Sequence, residues 1–175
     1  MGLFSSDLAL NSFEDLFVEQ LQDLYDAEQR LTKALPKMAE AAHSPALKSA
    51  FQEHLRQTTK QVSRLEQVFE GMGKSAQAKT CEAMRGLVAE GDEVISAQGN
   101  PSVKDAALIA AAQRVEHYEI AGYGTARTFA RQLGKSDAAR LLQETLEEEA
   151  ATDKKLTELA ETTINIEANE ARLDA

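Results

Sequence analysis

The sequence predicts an all-α protein built around four long helices. Its 175 residues include only 3 Pro and 9 Gly, and aromatic residues make up 5% of the chain. Good helix formers such as Ala, Glu, Leu and Gln fill much of the remainder, which is typical of helical domains. Apolar residues also recur at the three- and four-residue spacing of amphipathic helices over long uninterrupted stretches.

Breaks in this pattern divide the chain into four long helices and one short one. Ser12 and Ser44-Pro45 stand where helices one and two begin, and side-chain oxygens and proline are favoured there. Gly134 closes the third long helix, and Ser136 is the expected cap of the fourth. The predicted helices cover residues 13–42, 45–71, 79–97 (the short one), 102–133 and 137–165, and a polar tail expected to fray covers 166–175.

The lengths of the connections predict how the helices are arranged. Short loops join the first long helix to the second and the third to the fourth, which makes each pair an antiparallel hairpin. About 30 residues separate the two hairpins, enough to cross the bundle and run the third long helix parallel to the second. One long crossover defines the ferritin-like four-helix bundle. We therefore expect one ferritin-like domain over 1–175, with its bundle core at about 13–165.

Charge and cysteine content exclude several classes of function. The chain has 19 Lys and Arg against 29 Asp and Glu, a net charge of −10, which argues against nucleic acid or an anionic membrane as partner. The single cysteine, Cys81, excludes an internal disulfide and a thiolate zinc site. No apolar run is long enough for a membrane span, and the N-terminus lacks a basic signal-peptide region. We expect a cytoplasmic protein.

The apolar seam of every long helix is interrupted near its middle by an acid or a histidine. The interrupting residues are Glu28 on the first helix, His54 on the second, Glu116 and Glu119 on the third, and Glu149 and Asp153 on the fourth. At about 1.5 Å per residue, the five acids fall within roughly 4 Å of mid-height and His54 within roughly 6 Å. We therefore expect one polar layer across the bundle.

Such a layer predicts a bound metal ion. No Lys or Arg occupies the seams at that height, and each unpaired buried charge costs several kcal/mol. Carboxylate oxygens with an imidazole nitrogen suit iron, with manganese as the alternative. The di-iron bundle motif takes a Glu from each of two helices and Glu-x-x-His from the other two. This chain offers one histidine, so we expect a carboxylate-rich site for one or two ions.

Several neighbouring residues have weaker predicted roles. Tyr123 lies one turn from Glu119 and is the expected hydrogen-bond donor to the site. Gly122 and Gly124 weaken the third long helix and indicate either a close helix approach or a π-bulge. His117 and Glu148 are placed at the periphery, with an inward rotation of Glu148 left open.

At these residues the chain resembles the YciE/YciF (YcfI-like) family of bacterial ferritin-like stress proteins. The carrying segments are EDLFVEQLQDLYDAEQRLTKALPKMA, FQEHLRQTTKQVSRLEQVFE, CEAMRGLVAEGDEVI, DAALIAAAQRVEHYEIAGYGTA and LLQETLEEEAATDKKLTELA. The resemblance implies a bundle similar to rubrerythrin and the ferritin core, a homodimer, and a link to stress responses. It also implies a di-metal centre on Glu28, His54, Glu116, Glu119, Glu149 and Asp153. Family members often carry Glu where this chain has Gln57, a poorer ligand, which bears on whether two ions bind.

Two classes of function follow, and the sequence leaves both open. The first is a redox metalloprotein whose iron reacts with dioxygen or peroxide. The second is a non-enzymatic stress or structural protein in which the metal only stabilises the fold or is vestigial. Whether the protein is an enzyme is therefore not decided by its sequence.

Overall fold

The computed structural model describes residues 10–170, and every regular element among them is helical. The elements are α1 (Phe13–Ala41), α2 (Pro45–Gly71), α3 (Glu82–Ser96), α4 (Pro101–Gln132), α5 (Ser136–Leu159), a π-helical turn (Ala160–Ile164) and α6 (Asn165–Glu170). The all-α prediction is confirmed. Two segments lie outside the described residues. Residues 1–9 contain most of the N-terminus that was considered as a signal peptide, and residues 171–175 are the end of the predicted tail.

The ends of the helices follow local sequence signals with one exception. The side chains of Ser12 and Ser44 each accept a backbone N–H from the first turn of their helix, at 3.0 and 3.5 Å. Gly134 ends α4 at φ +69°, a conformation that glycine adopts without steric cost. The predicted cap at Ser136 is wrong: Ser136 is already helical, and Lys135 stands at the cap position without a side-chain hydrogen bond.

The C-terminal part is helical for longer than predicted. After Leu159 the chain makes the π-helical turn and continues as α6 to Glu170, so a frayed tail from residue 166 is wrong for that stretch. Leu156, Ala160 and Ile164 all belong to one buried cluster. In an α-helix, residues spaced by four drift around the axis by about 40° per step. The wider π turn offsets part of that drift and keeps Ile164 on the core side.

Asp105, in the first turns of α4, shows how the crossover is laid out. Its buried carboxylate accepts the backbone N–H groups of His43 at 2.8 Å and Ser44 at 2.6 Å, which belong to the connection between α1 and α2. Helix α4 therefore starts at the same end as α2 and runs parallel to it. Helix α3 packs on α1 and α4, and the Cys81 N–H just before it donates to Asp26 of α1 at 2.8 Å. This connectivity is the ferritin-like one.

The core consists of two hydrophobic clusters. Members of the cluster nearer the α1–α2 connection include Leu31, Leu35, Leu47, Phe51, Leu108, Ile109 and Leu156. Members of the other include Phe17, Leu21, Leu24, Leu65, Val68, Tyr123 and Leu142. Along the helices, buried polar side chains lie between them: Glu28, His54, Thr58, Gln61, Glu116, Glu119, Thr145 and Glu149. Among the described helices, none is long and apolar enough to cross a membrane.

Gly122 marks a close approach of α4 to α1. A Cβ atom at this position would lie 2.8 Å from Cδ2 of Leu24, whereas a Cβ at Gly124 would meet nothing within 4 Å. The sequence left two roles open for these glycines, a close helix approach or a π-bulge. Gly122 has the first of these roles. Helix α4 continues as a regular α-helix through both, and the π turn lies at Ala160–Ile164.

Candidate metal centre

Four side chains from three helices converge in the polar layer. His54 of α2, Glu116 and Glu119 of α4, and Glu149 of α5 each offer one ligand atom, and these four atoms lie within 4.8 Å of one another. Each residue is at most 3% exposed. Metal–ligand bonds of about 2.0–2.4 Å put ligands on opposite sides of an ion about 4–4.8 Å apart. The spacing therefore fits one ion held between all four residues.

The hydrogen-bonding state of these side chains is unusual for a protein core. Six buried atoms have no hydrogen-bond partner among residues 10–170: both nitrogens of His54, both oxygens of Glu119, Oε2 of Glu116 and Oε2 of Glu149. His54 Nε2 lies 3.1 Å from Glu116 Oε1 and 3.8 Å from Glu149 Oε2, but it makes a hydrogen bond to neither. Buried polar atoms are nearly always paired. Six unpaired ligand-type atoms on four neighbouring residues fit a site built for a cation.

Glu28 of α1 lies beside this group of four. It is fully buried, its Oε1 accepts the hydroxyl proton of Tyr123, and its Oε2 has no partner. The donor expected at Tyr123 is therefore present, and it acts on Glu28. The charges of Glu149 and Glu116 act on Glu28 and raise its pKa, next to the larger effect of burial. Glu28 is thus positioned to extend the site toward α1.

Burial sets the protonation of the carboxyl groups. It raises the pKa of Glu28, Glu119 and Glu149 well above the usual range, and the charges of neighbouring carboxylates raise the pKa of Glu28 and Glu119 further. The pKa of Glu116 rises to about 8, again chiefly through burial, with the charge of Asp153 adding to it. Without a cation, burial therefore favours the protonated forms of these carboxyl groups, and a bound cation would displace their protons.

Asp153 lies outside the group of four. Its side chain is 23% exposed, its Oδ1 accepts a hydrogen bond from Gln113 at 3.0 Å, and the same oxygen lies 3.4 Å from Nε2 of His117. The side chain of His117 is 70% exposed, which agrees with the peripheral position predicted for it. The predicted role of Asp153 as a ligand stays a prediction, with its carboxylate engaged on the outer side of Glu116.

Gln57, the residue that departs from the family pattern, is only partly buried. Its Oε1 lies 3.5 Å from the hydroxyl of Thr152, in a groove between α2 and α5 lined also by Glu53 and Lys155. The amide that does reach the cluster belongs to a different residue, one turn further along α2. An effect of Gln57 on metal occupancy would therefore have to act from outside the polar layer.

Gln61 is that residue, and its role in the polar layer was not predicted. It is fully buried, and its Nε2 donates to Oε1 of Glu149 and, at 3.0 Å, to Oε2 of Glu148. Glu148 is thus turned partly inward and is held by Arg64 from the other side. The spacing in the sequence could have indicated this role. Gln61 stands seven residues after His54, and helical positions seven apart lie on the same face.

Cys81 makes a separate contact outside the cluster. It is fully buried, its sulfur lies 3.0 Å from the hydroxyl oxygen of Tyr118, and Tyr118 donates its proton to Asp23. Burial raises the pKa of the Cys81 thiol. A buried thiol that keeps its proton is a poor nucleophile, so we expect Cys81 to be chemically inert.

Comparisons with known proteins agree with this fold. A sequence profile described as Domain of unknown function (DUF892) matches residues 12–169. The chain is 50% identical to Protein YciF of Escherichia coli strain K12 over 160 residues, 91% of this chain and 96% of that protein. The crystal structure of the E. coli stress protein YciF matches with a TM-score of 0.85 and 51% identity, covering 89% of this chain and 98% of that one. YcfI of Rhodopseudomonas palustris, named as a candidate structural protein, matches with a TM-score of 0.83 and 45% identity, covering 88% and 97%.

Proposed function

This chain belongs to the DUF892 family of YciF-like proteins, and on that premise we propose that it is a stress-associated, ferritin-like metalloprotein. Its polar layer would hold one or two metal ions, with iron as the first choice and manganese as the alternative. The stress association is carried over from the printed description of the E. coli relative.

One observation carries the proposal: in the part of the chain that the structure describes, six buried ligand-type atoms of His54, Glu116, Glu119 and Glu149 have no hydrogen-bond partner. A single imidazole with carboxylate oxygens is a hard donor set of the kind that iron and manganese accept. Among the described residues, the ion-pair contacts of the four are those of His54 with Glu116 and Glu149, and none involves Lys or Arg, so the negative charge of the group calls for either protons or a cation. The residues present therefore fit the metal that the fold implies.

The hydrogen bonds indicate which oxygens remain for metal. Gln61 occupies Oε1 of Glu149, and Tyr123 occupies Oε1 of Glu28, so each of these carboxylates has only Oε2 free. Glu119 has both oxygens free. We propose that Glu28 and Glu149 would each offer one oxygen to bound metal and that Glu119 would offer both of its oxygens.

Asp153 is part of the proposed ligand set only if its side chain changes its hydrogen bonding. Its carboxylate accepts a hydrogen bond from Gln113, so it would join the centre only by giving up that contact. We propose it as the outermost ligand, next to Glu116. An Asp153→Asn variant that keeps full metal affinity would remove it from the set.

Bound iron would supply one-electron chemistry toward dioxygen or peroxide. The chain itself contributes burial that excludes water, since the four central side chains are at most 3% exposed. The carboxyl groups release their protons as a cation binds. Tyr123 keeps its hydroxyl proton directed at Glu28, and burial raises the pKa of Tyr123 well above the usual range, so this donor stays protonated.

Thermal unfolding with and without added metal tests the binding itself. Fe(II), added anaerobically, or Mn(II) should stabilise the folded protein by about 2.7 kcal/mol when the free ion is at a hundred times its Kd. A His54→Ala variant should lose this stabilisation, and a Glu40→Ala variant, which changes an exposed carboxylate of α1, should keep it. No stabilisation of the wild type by either metal would contradict the proposal.

A non-enzymatic structural role is the second candidate. Two observations favour it: the cluster is nearly inaccessible to solvent, and the similar protein YcfI is named as a candidate structural protein. Fe(II)-loaded protein treated with peroxide separates the two. Peroxide loss with Fe(III) absorption supports the redox role, whereas metal stabilisation without peroxide loss supports the structural one.

Three further parts of the proposal concern the state of the protein. A homodimer follows from the resemblance, and light scattering should then give twice the chain mass of 19.1 kDa. One domain over 1–175 should unfold in a single cooperative transition. A cytoplasmic location agrees with the free thiol of Cys81, and cell fractionation tests it.

A further inference from the structure

A continuous chain of hydrogen bonds joins the metal cluster to the protein surface between α2 and α5. Arg64 binds Glu148 with both terminal nitrogens, at 2.6 and 2.7 Å. Oε2 of Glu148, already bound by Arg64, also accepts from Nε2 of Gln61 at 3.0 Å. The same Nε2 donates to Oε1 of Glu149. The outer pair is partly exposed, at 17% for the Arg64 side chain and 25% for that of Glu148, whereas Gln61 and Glu149 are fully buried.

The carboxylate of Glu148 fixes the orientation of the Gln61 amide. Glu148 is paired with Arg64, and an ionised carboxylate only accepts hydrogen bonds, so the NH₂ end of the amide must face Glu148. The same Nε2 then also donates to Oε1 of Glu149. Oε1 of Gln61 then points away from both and is buried without a partner. The reverse orientation would bring Oε1 against an ionised Glu148, which is held in place by Arg64. The ion pair therefore opposes a flip of the amide.

Arg64 is itself firmly placed. Besides its two bonds to Glu148, its Nη1 lies 3.3 Å from the hydroxyl of Thr145 and its Nε lies 3.6 Å from Oε2 of Glu144. The planar guanidinium fork matches a carboxylate in two-point contact, which a lysine ammonium cannot reproduce. An ion pair this close to the surface contributes little to stability as a rule. The ion pair is nevertheless connected to a candidate ligand, because Glu148 and Glu149 accept hydrogen bonds from the same nitrogen of Gln61.

We propose that the Arg64–Glu148 ion pair positions Gln61, and that Gln61 thereby holds Oε1 of Glu149 and leaves Oε2 as the oxygen offered to a metal ion. Oε2 of Glu149 is the oxygen that lies 3.8 Å from His54 Nε2 and has no hydrogen-bond partner. Gln61, Glu148 and Arg64 are thus positioning residues. The inference rests on the proposed metal centre and extends it to a determinant of affinity near the surface.

Co(II) is a suitable probe, because its visible absorption reports both binding and the number of ligands. Removing a residue that orients a metal ligand costs 10–100-fold in affinity, so we expect that loss in Arg64→Met and Glu148→Gln. Arg64→Lys, which keeps the charge without the fork, should fall between Arg64→Met and wild type. Arg56→Met is the matched control, since Arg56 also lies on α2 but pairs with the exposed Glu53, and it should bind Co(II) like wild type.

Two comparisons separate positioning from mere stabilisation. Arg64→Met should change the Co(II) spectrum, because Glu149 becomes free to offer a second oxygen, while the metal-free protein keeps a melting temperature close to that of Arg56→Met. The double variant Gln61→Met/Arg64→Met should bind no more weakly than Gln61→Met alone, since both changes break the same chain of contacts.

The outcomes distinguish this inference from the proposed function. If wild type binds no Co(II), the proposed metal centre is wrong and the positioning inference falls with it. If wild type binds Co(II) and Arg64→Met matches Arg56→Met in affinity and spectrum, only the positioning inference is overturned. An affinity loss in Arg64→Met that is matched by an equal loss of metal-free stability, with an unchanged spectrum, would also overturn it.

Discussion

Replacing Glu119 by glutamine should stabilise the metal-free protein and weaken the metal-bound one. Glu119 is fully buried, and neither of its oxygens has a hydrogen-bond partner. Burial and the charges of Glu28, Glu149 and Glu116 raise its pKa well above the usual range. In the metal-free protein this raised pKa favours uptake of a proton by the carboxyl on folding, and a glutamine removes the cost of that uptake.

The size of the effect follows from proton linkage. Keeping a carboxyl protonated on folding costs 1.36 kcal/mol for each pH unit above its unfolded pKa of about 4.3, so this cost cannot exceed about 3.7 kcal/mol at pH 7. The new amide brings N–H groups into the core, at a cost of about 1–3 kcal/mol if one stays unpaired. The net effect of Glu119→Gln should thus be a gain of at most about 3 kcal/mol. For a domain of this size that corresponds to a rise in Tm of at most about 9 °C.

The pH dependence has a definite sign. A raised folded-state pKa means that the native state binds a proton that the unfolded state releases above pH 4.3, so stability falls as pH rises through that range. The advantage of Glu119→Gln over wild type should therefore be smallest near pH 4 and grow toward pH 7. Glu116 has the same sign, and its contribution is lost between about pH 4.3 and its folded-state pKa of about 8.

Thermal or urea unfolding of chelator-treated protein at pH 4, 5.5 and 7 measures this directly. Glu40→Gln, which changes an exposed carboxylate, is the control and should match wild type at every pH. Adding Mn(II) should reverse the ranking at pH 7, because only wild type keeps both ligand oxygens. If metal-free Glu119→Gln is less stable than wild type at pH 7, Glu119 is satisfied within the fold and the reasoning is refuted.

Three further changes test the packing and hydrogen bonds around the centre. Gly122→Ala places a Cβ 2.8 Å from a buried leucine of α1 and should cost about 1 kcal/mol in urea unfolding, whereas Gly124→Ala, with open space around it, should gain about 0.5–1 kcal/mol. Tyr123→Phe removes the donor to Glu28 and should weaken Mn(II) binding by 10–100-fold; unchanged affinity would show that this bond does not orient the ligand. Asp105→Ala leaves two backbone N–H groups unpaired and should lower stability by about 2–4 kcal/mol without affecting metal affinity per folded molecule.

Helical periodicity predicted most of the buried cluster. An interrupted apolar seam determines the face of a helix, and the known rise per residue determines the height of a residue. Those two quantities sufficed for Glu28, His54 and Glu119 to be predicted in one layer, where they lie buried. The crossover direction also followed from sequence, because a connection of that length is needed to run α4 parallel to α2.

The remaining features depend on how the helices are rotated and which partners they meet. Asp153 follows Glu149 by four residues, which places it about 40° further around α5, and there it meets Gln113. The contact of Gln61 with Glu149 links residues 88 positions apart, and no local pattern predicts such a pairing. The π turn after α5 also has no local sequence signal, since it follows from the register with which Ile164 enters the core.

The metal content of the wild-type protein tests the central claim most directly. The protein should be expressed with ample iron, purified without chelator or a histidine tag, and analysed for elements. We predict at least one iron or manganese ion per chain, and loss of that metal in the His54→Ala variant. A folded wild-type protein with metal content near zero would contradict the claim that the unpaired atoms of His54, Glu116, Glu119 and Glu149 form a metal centre.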